Sequence, residues 1–170
     1  MHTKLPHLNL HHHYQFITFR TFDSIDDYVI KMQQNERIVT KIKQYEIDKY
    51  LDTSHKGSYF YDELIDKMRE ILLEKDTILY EVVVFVIMPN HIHIVIKQLD
   101  DLVKIVKYIK GKSAIQANKF LGKKGKFWLD GYFDKAIRDE KHFNTVCEYV
   151  LNNPIKANLA DWEKRVYSVY

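Results

Sequence analysis

The feature that most constrains this chain is a pair of β-branched apolar runs that meet at a Pro-Asn break. The first run ends at Met88, the break is Pro89-Asn90, and the second run, HIHIVIK, begins at His91. Such runs around a Pro-Asn step are typical of neighbouring antiparallel strands joined by a tight turn. Because side chains alternate along a strand, His91 and His93 share one face and the isoleucines share the other. The pattern therefore predicts a core face and, opposite it, two imidazoles placed like a bidentate metal-ligand pair.

Composition narrows the class of protein. A chain of 170 residues is long enough for one domain with a substantial core, so we expect a single domain over residues 1–170, with residues 1–13 as a poorly structured lead-in. The single Cys147 excludes an internal disulfide. No run approaches the ~20 apolar residues of a membrane span, and no signal-peptide pattern is present. We therefore expect a cytoplasmic protein with no membrane partner.

Charge is distributed unevenly along the chain. Residues 1–100 carry 12 Lys and Arg against 15 Asp and Glu, whereas residues 101–170 carry 14 against 8. A basic half favours an anionic partner, nucleic acid first, although a solvated lysine-rich helix face gives the same count. The candidate phosphate contacts are Lys104, Lys107, Lys110, Lys112, Lys123, Lys124, Lys126 and Arg138. Four aromatics nearby could stack on bases, but we expect at least two of them to pack against the sheet: Phe127, Trp128, Tyr132 and Phe133.

Hydrophobic periodicity predicts the element order β, α, α, β, β, α, β, α. The predicted strands cover residues 14–21, 78–87, 91–97 and 127–137, and the predicted helices cover residues 25–51, 61–75, 102–120 and 140–153. Asp23 or Ser24 is the expected cap of the first helix, which can break near residues 33–35. Gly111 is a point where the third helix can break, and Pro154 is expected to stop the last. We interpret the helices within residues 25–75 as packing elements without chemistry.

This order predicts the α+β class, a small antiparallel sheet with helices packed on one face. The face bearing the two histidines then needs another cover, which is a cofactor, a nucleic acid or the last helix. The last helix carries Tyr149 and Asn153 four residues apart, on one side. Taken alone, such a tyrosine is more often a core residue, and a histidine pair is more often structural.

Two segments together resemble a known family. Residues 88–96, MPNHIHIVI, resemble the HUH motif of single-tyrosine transposases, and residues 149–157, YVLNNPIKA, resemble their nucleophile helix. The resemblance covers the chain from about residue 14 onward and is nearest to the REP-associated tyrosine transposases, relatives of small insertion-sequence transposases. It implies the ferredoxin-like or RRM-like fold of HUH endonucleases.

The resemblance also implies a chemistry, which is metal-dependent cleavage and rejoining of single-stranded DNA beside a hairpin. It assigns Tyr149 as the nucleophile that forms a 5′-phosphotyrosine, and His91, His93 and Asn153 as ligands of a divalent metal ion, Mg²⁺ or Mn²⁺. The relatives act as monomers or as homodimers, so either state is expected. No general base for the tyrosine is identifiable from the sequence.

Two other functions remain open at this point. One is a domesticated module that binds DNA hairpins without cutting them, against which the presence of both histidines and the tyrosine argues. The other is a metal-dependent phosphohydrolase that uses water. That enzyme would need further carboxylates near the histidines, and in the sequence only Asp100 and Asp101 lie close to them.

Overall fold

The computed structural model describes residues 11–170 and is built on one antiparallel sheet with strand order β4-β1-β3-β2-β5. The strands are β1 (Tyr14–Arg20), β2 (Tyr80–Ile87), β3 (His91–Gln98), β4 (Phe133–Ala136) and β5 (Val166–Ser168). The helices are α1 (Asp27–Gln34), α2 (Thr40–Thr53), α3 (Glu63–Leu73), α4 (Leu102–Leu121), α5 (Glu140–Lys156) and α6 (Trp162–Arg165). This architecture confirms the predicted α+β class with an antiparallel sheet.

The predicted hairpin is the centre of the sheet. Strands β2 and β3 pair with Ile87 opposite Ile92, and the Met88 amide donates to the His91 carbonyl at 2.9 Å to close the turn. Strand β1 pairs with the other edge of β3, with Thr18 opposite His93. The histidine strand is therefore held from both sides, which fixes the direction of its side chains.

The two faces of the sheet are covered by different helices. The Ile92, Ile94 and Ile96 face is fully buried and forms one core with α3 and α4, as the alternation predicts. On the other face, Val95 and its neighbours form a second core with Cys147 and Val150 of α5. The sequence left open whether a cofactor, a nucleic acid or the last helix packs on the histidine face, and in the structure the last helix, α5, packs there.

Helix α5 runs through Pro154 to Lys156, so the prediction that this proline stops the helix is wrong. Proline removes the hydrogen bond that residue 154 would donate to the Val150 carbonyl, but only two residues of the helix follow it, so its ring displaces little of the helix. The turn is closed beyond it because the Ala157 amide donates to the Asn153 carbonyl at 3.0 Å. Asn153 therefore stays helical and remains on the same side of α5 as Tyr149.

Other parts of the chain refine or differ from the sequence prediction. The break allowed near residues 33–35 is present, since α1 ends at Gln34 and α2 begins at Thr40; the N-cap of α1 is Asp26, not Asp23 or Ser24, and it accepts from the Tyr28 and Val29 amides. Helix α4 is continuous through Gly111. The strand expected over residues 127–137 is reduced to β4, because the chain turns at Gly131, where φ is +73°.

The ends of the described chain are tied to the sheet. The His12 amide donates to the Gln98 carbonyl at 2.7 Å, so the expected lead-in begins to pair before residue 14; residues 1–10 of that segment lie outside the described residues. At the other end, β5 was not predicted and pairs with β2. Within residues 11–170, no helix combines the length and apolar character that crossing a bilayer requires.

Candidate active site

The two histidines at the start of β3 form the centre of the site. Both are fully buried, and their ring centroids lie 4.7 Å apart. Nδ1 of His91 lies 2.7 Å from Oδ1 of Asn90, and because an amide oxygen only accepts, this nitrogen carries the proton. Nε2 of His91 therefore presents a lone pair, which is buried and has no hydrogen-bond partner. A buried lone pair held by a hydrogen bond on the opposite ring nitrogen is the arrangement of metal-ligating histidines.

His93 is oriented from β1 and from α5. Its Nδ1 lies 2.7 Å from Oγ1 of Thr18. Its Nε2 lies 3.2 Å from Oδ1 of Asn153, with the Asn153 amide oriented so that its oxygen faces His93 and its nitrogen faces Asp52. Burial lowers the pKa of His93 to about 3 and that of His91 well below its ordinary value, and the positive charge of Arg20 adds to both shifts. Both imidazoles are therefore neutral at physiological pH, the form that binds metal.

Helix α5 brings the other two predicted residues to the histidines. The Tyr149 ring lies 5.4 Å from the His93 ring, measured between centroids, and the side chain is half-buried. Asn153 is buried, and its Nδ2 donates to the two carboxylate oxygens of Asp52 at 3.1 and 3.2 Å. The structure thus brings together the four residues that the sequence singled out.

Two carboxylates of α2 complete the site, and sequence reasoning missed both of them. Asp48 is buried and accepts a hydrogen bond from the Tyr149 hydroxyl at 3.3 Å, and Oδ1 of Asp52 lies 3.6 Å from Nε2 of His91. Burial is the main cause that raises the pKa of each to about 7. The sequence marks them only by position, since each directly follows an apolar residue that α2 buries, Ile47 or Leu51.

The carboxylates near the histidines in the sequence have other roles. Asp100 pairs with Lys104, and Asp101 caps α4 by accepting from the Lys104 amide at 3.0 Å. The interpretation of the helices within residues 25–75 as free of chemistry is therefore not supported, because the carboxylates of the site come from α2.

A chain of hydrogen bonds leads from β1 through α2 to the tyrosine. Nη2 of Arg20 donates to Oε1 of Gln44 at 3.3 Å, and Nε2 of Gln44 donates to Oδ1 of Asp48 at 2.7 Å. Arg20 is buried, and its Nη1 has no hydrogen-bond partner. The guanidinium is therefore a buried positive charge beside the histidines, with a donor still available to an anion. Burial is the main cause that raises the pKa of Tyr149, and the negative charges of Asp48 and Asp52 add to the rise, so the phenol is protonated.

The side chains around His91 and His93 suit a divalent metal ion by type. They offer imidazole nitrogens, an amide oxygen on Asn153 and a carboxylate on Asp52, a mixed N/O set with the character that Mn²⁺ accepts. The unpartnered Nε2 of His91 is the observation that favours a metal here. In the part of the chain that the structure describes, no group of three or more His, Cys, Asp and Glu side chains is already spaced to hold one.

The basic residues that the sequence nominated lie mainly away from this site. Helix α4 packs on the isoleucine face, opposite the histidines. Lys110 donates to the Leu129 and Gly131 carbonyls at 2.6 Å each and so anchors that turn. Four others form surface ion pairs: Lys104 with Asp100, Lys112 with Glu74, Lys123 with Asp23 and Lys126 with Asp130. Lys107 lies on α4, Lys124 in the loop after it, and Arg138 just before α5.

A basic cluster on the histidine side of the sheet joins one nominated residue, Arg138, with Lys41 and Lys135. Lys135 pairs in register with Phe16, whose ring stacks on His93 at 5.6 Å between centroids. Burial, together with the nearby charges of Lys41 and Arg138, lowers the pKa of Lys135. Mutual repulsion of this kind marks a surface that favours an anion.

The aromatic residues beside the basic loop divide as expected. Phe127 and Trp128 are buried in the larger core, and Nε1 of Trp128 donates to Oγ of Ser113 at 2.8 Å. Tyr132 and Phe133 are partly buried, and each packs at the edge of a core.

Comparison with known proteins finds a family model and solved structures that this chain resembles. A family model described as "Transposase IS200 like" matches residues 41–153, a span that holds both histidines, Tyr149, Asn153 and all of α2 except Thr40. A solved structure of a REP-associated tyrosine transposase bound to a REP hairpin superposes with a TM-score of 0.54 at 18% identity, covering 91% of this chain and 73% of that one. A crystal structure of a candidate transposase from Deinococcus radiodurans R1 superposes with a TM-score of 0.50 at 16% identity, covering 89% and 98%. These likenesses establish the fold, and no curated protein matches the chain.

Proposed function

Because the chain belongs to the family of IS200-like transposases, we propose that it cuts and rejoins single-stranded DNA through a covalent tyrosine–DNA intermediate. The observation that carries the proposal is the meeting of Tyr149 with the histidine pair, at 5.4 Å between the rings of Tyr149 and His93. Nothing in the sequence spacing alone requires this contact, since 56 positions separate the two residues.

Tyr149 is the nucleophile in this proposal. Its phenolic oxygen attacks the phosphorus of the scissile phosphodiester, so the 5′-phosphate becomes bound to the tyrosine and a 3′-hydroxyl is released. Because the phosphodiester is exchanged for a phosphotyrosine ester, the strand can be rejoined without ATP. The half-buried position of the phenol supports this role, since the helix fixes it while one side stays open.

His91, His93 and Asn153 are the proposed ligands of a divalent metal ion, Mg²⁺ or Mn²⁺. When bound, the ion supplies Lewis-acid polarisation of a phosphate oxygen. The protein's own contribution is orientation: Asn90 and Thr18 each hold the Nδ1 side of one imidazole, and burial keeps both rings neutral. Asp52 lies beside the same groups and offers a further oxygen.

The proposed substrate is single-stranded DNA carrying a hairpin. A neighbour in fold is described as bound to a REP hairpin, and the cluster around Lys135 lies on the same side of the sheet as the histidines. The tyrosine and the histidines meet within one chain, which supports action as a monomer, with a homodimer as the other state to test. We propose that the chain acts as one domain in the cytoplasm.

A denaturing gel tests the proposal. Labelled single-stranded hairpins from the flanks of the gene are incubated with protein and Mg²⁺ or Mn²⁺, and a covalent protein–DNA band should appear that chelator abolishes. Tyr149→Phe should lose the band and keep hairpin binding, whereas Tyr45→Phe, which changes an exposed tyrosine of α2, should retain both. Retention of the covalent band by Tyr149→Phe would show that another nucleophile acts.

Asp48 and Asp52 favour one competing function, hydrolysis by a metal-activated water. These carboxylates meet the requirement that such an enzyme have acids beside the histidines. The same gel separates the functions, because a hydrolase cleaves without a covalent band and tolerates Tyr149→Phe. A domesticated hairpin-binding module would shift the DNA on a native gel and give neither product.

A further inference from the structure

We infer that Asp48 is the general base that takes the phenolic proton of Tyr149 when this residue attacks DNA. The inference deepens the proposed function and rests on it. The sequence names no base for the tyrosine, because Asp48 lies 101 positions away, on a helix whose pattern predicts only packing.

The contact between the two groups is direct. The Tyr149 hydroxyl donates to Oδ2 of Asp48 at 3.3 Å. Hydrogen bonds of catalytic groups are often this long before substrate binds and tighten in the reacting complex. Asp48 is buried, so water does not compete for the proton that it receives.

The carboxylate is aimed by its neighbours. A guanidinium only donates, so Oε1 of Gln44 faces Arg20, and Nε2 of Gln44 must then face Oδ1 of Asp48. This leaves Oδ2 for the phenol. Gln44 and Arg20 are therefore positioning residues, which act on the reaction only through Asp48.

The acidity of Asp48 suits the task. Its pKa is raised to about 7: burial is the main cause, the attraction of Arg20 opposes the rise, and the negative charge of Asp52 adds to it. A general base is most effective when its pKa lies near the working pH. The charged and titratable groups that face Asp48 are Arg20 from β1, Asp52 from its own helix and Tyr149 from α5.

The proton balance of the step is complete. The O–H bond of Tyr149 breaks, its proton passes to Oδ2 of Asp48, and the phenolic oxygen bonds to phosphorus. The bond from phosphorus to the 3′ oxygen breaks, and this oxygen takes a proton from water. In rejoining, the 3′-hydroxyl attacks phosphorus and gives its proton to water, while Asp48 returns its proton to the departing phenolate.

The first test compares Asp48→Asn with Asp66→Asn, the same chemical change at an exposed position of α3. In single-turnover reactions with a hairpin and Mn²⁺, Asp48→Asn should slow formation of the covalent band by about 10² to 10⁴-fold, the usual worth of a general base. Hairpin affinity and Mn²⁺ affinity should not change. The wild-type rate should rise with pH through about 7 and then level, and this inflection should be absent from Asp48→Asn.

Two further measurements separate a base from a structural carboxylate. A fluorinated, more acidic tyrosine incorporated at position 149 should recover part of the rate that Asp48→Asn removes, because a more acidic phenol needs less help. Gln44→Leu removes a hydrogen bond that lowers the pKa of Asp48, so it should move the inflection of the rate to higher pH.

The outcomes distinguish this inference from the proposed function. Absence of any covalent band with wild-type protein would defeat the proposed function. A Tyr149-dependent band that Asp48→Asn forms at the wild-type rate, with the wild-type pH profile, would overturn Asp48 as the base and leave the function standing. A slow Asp48→Asn variant that the acidic tyrosine does not rescue would also overturn it.

Discussion

The carboxyl of Asp48 should make the fold less stable, and the cost can be worked out from its pKa. The group has an ordinary pKa of 3.8 and a pKa of about 7 in the folded protein. Because the pKa in the folded protein is higher than in the unfolded chain, the protonated carboxyl costs the fold nothing below pH 3.8. As the pH rises from there through 7, the free energy of unfolding falls, because the folded protein must either hold the proton or bury the charge. The difference between the two values, at about 1.4 kcal/mol per unit, is a loss of about 4 kcal/mol at pH 8.

Asp48→Asn keeps the shape of the side chain and removes the charge. The variant should therefore be more stable than wild type by about 4 kcal/mol at pH 8, and by less than about 2 kcal/mol at pH 5. Urea unfolding at pH 5, 6, 7 and 8 in the presence of chelator measures this difference directly. Asp66→Asn, which is exposed, should show no such trend. An Asp48→Asn variant no more stable than wild type at pH 8 would refute the reasoning, because the carboxyl would then carry no buried charge.

Three other predictions follow from the structure. Replacing Lys135 and Arg138 together by Gln should weaken hairpin binding and make it less sensitive to salt, by about one unit of slope in a plot of log affinity against log salt for each phosphate that is no longer neutralised. Fluorescence anisotropy at several salt concentrations measures both effects. Lys112→Gln, on the opposite side of the sheet, should change neither. Asn90→Ala should lower Mn²⁺ affinity by about 10- to 100-fold in calorimetry, because it removes the hydrogen bond that sets the protonated nitrogen of His91, whereas the exposed Asn152→Ala should not. Arg165→Met should cost about 3–5 kcal/mol of stability, since the buried guanidinium binds the Phe60 and Ile87 carbonyls at 3.0 Å and pairs with Asp161; exposed Arg37→Met is the control for urea unfolding.

The hairpin was predictable because its signal is local. The alternation around His91 and His93 assigns each residue to a face, and the Pro-Asn step fixes the turn, so the core under Ile92 and Ile94 follows from the sequence. The spacing of Tyr149 and Asn153 likewise places them on one side of a helix. The roles of these residues stay predictions, but their meeting is a feature of the structure.

The carboxylates of α2 were not predictable in the same way. The pattern of α2 shows that Ile47 and Leu51 face inward, but not which part of the sheet they meet, since that depends on the path of the chain between β1 and β2. The sequence therefore does not show that Asp48 and Asp52, which follow these two residues, lie beside the histidines. The wrong prediction at Pro154 has a related reason. Helix α5 tolerates this proline because the helix ends two residues later, and the sequence does not reveal that end.

Asn90, in the turn before β3, joins the strand that carries His91 to the end of α2 and the segment that follows it. Its Nδ2 lies 3.2 Å from each of three carbonyl oxygens, those of Leu51, Ser54 and Lys56, while its Oδ1 accepts from His91. One amide thus sets both the rotation of an imidazole and the position of the backbone that carries the acids of the site. Any movement of that backbone therefore disturbs the hydrogen bond that orients the imidazole, so the geometry of His91 depends, through a single side chain, on a segment about 35 to 40 positions earlier in the chain.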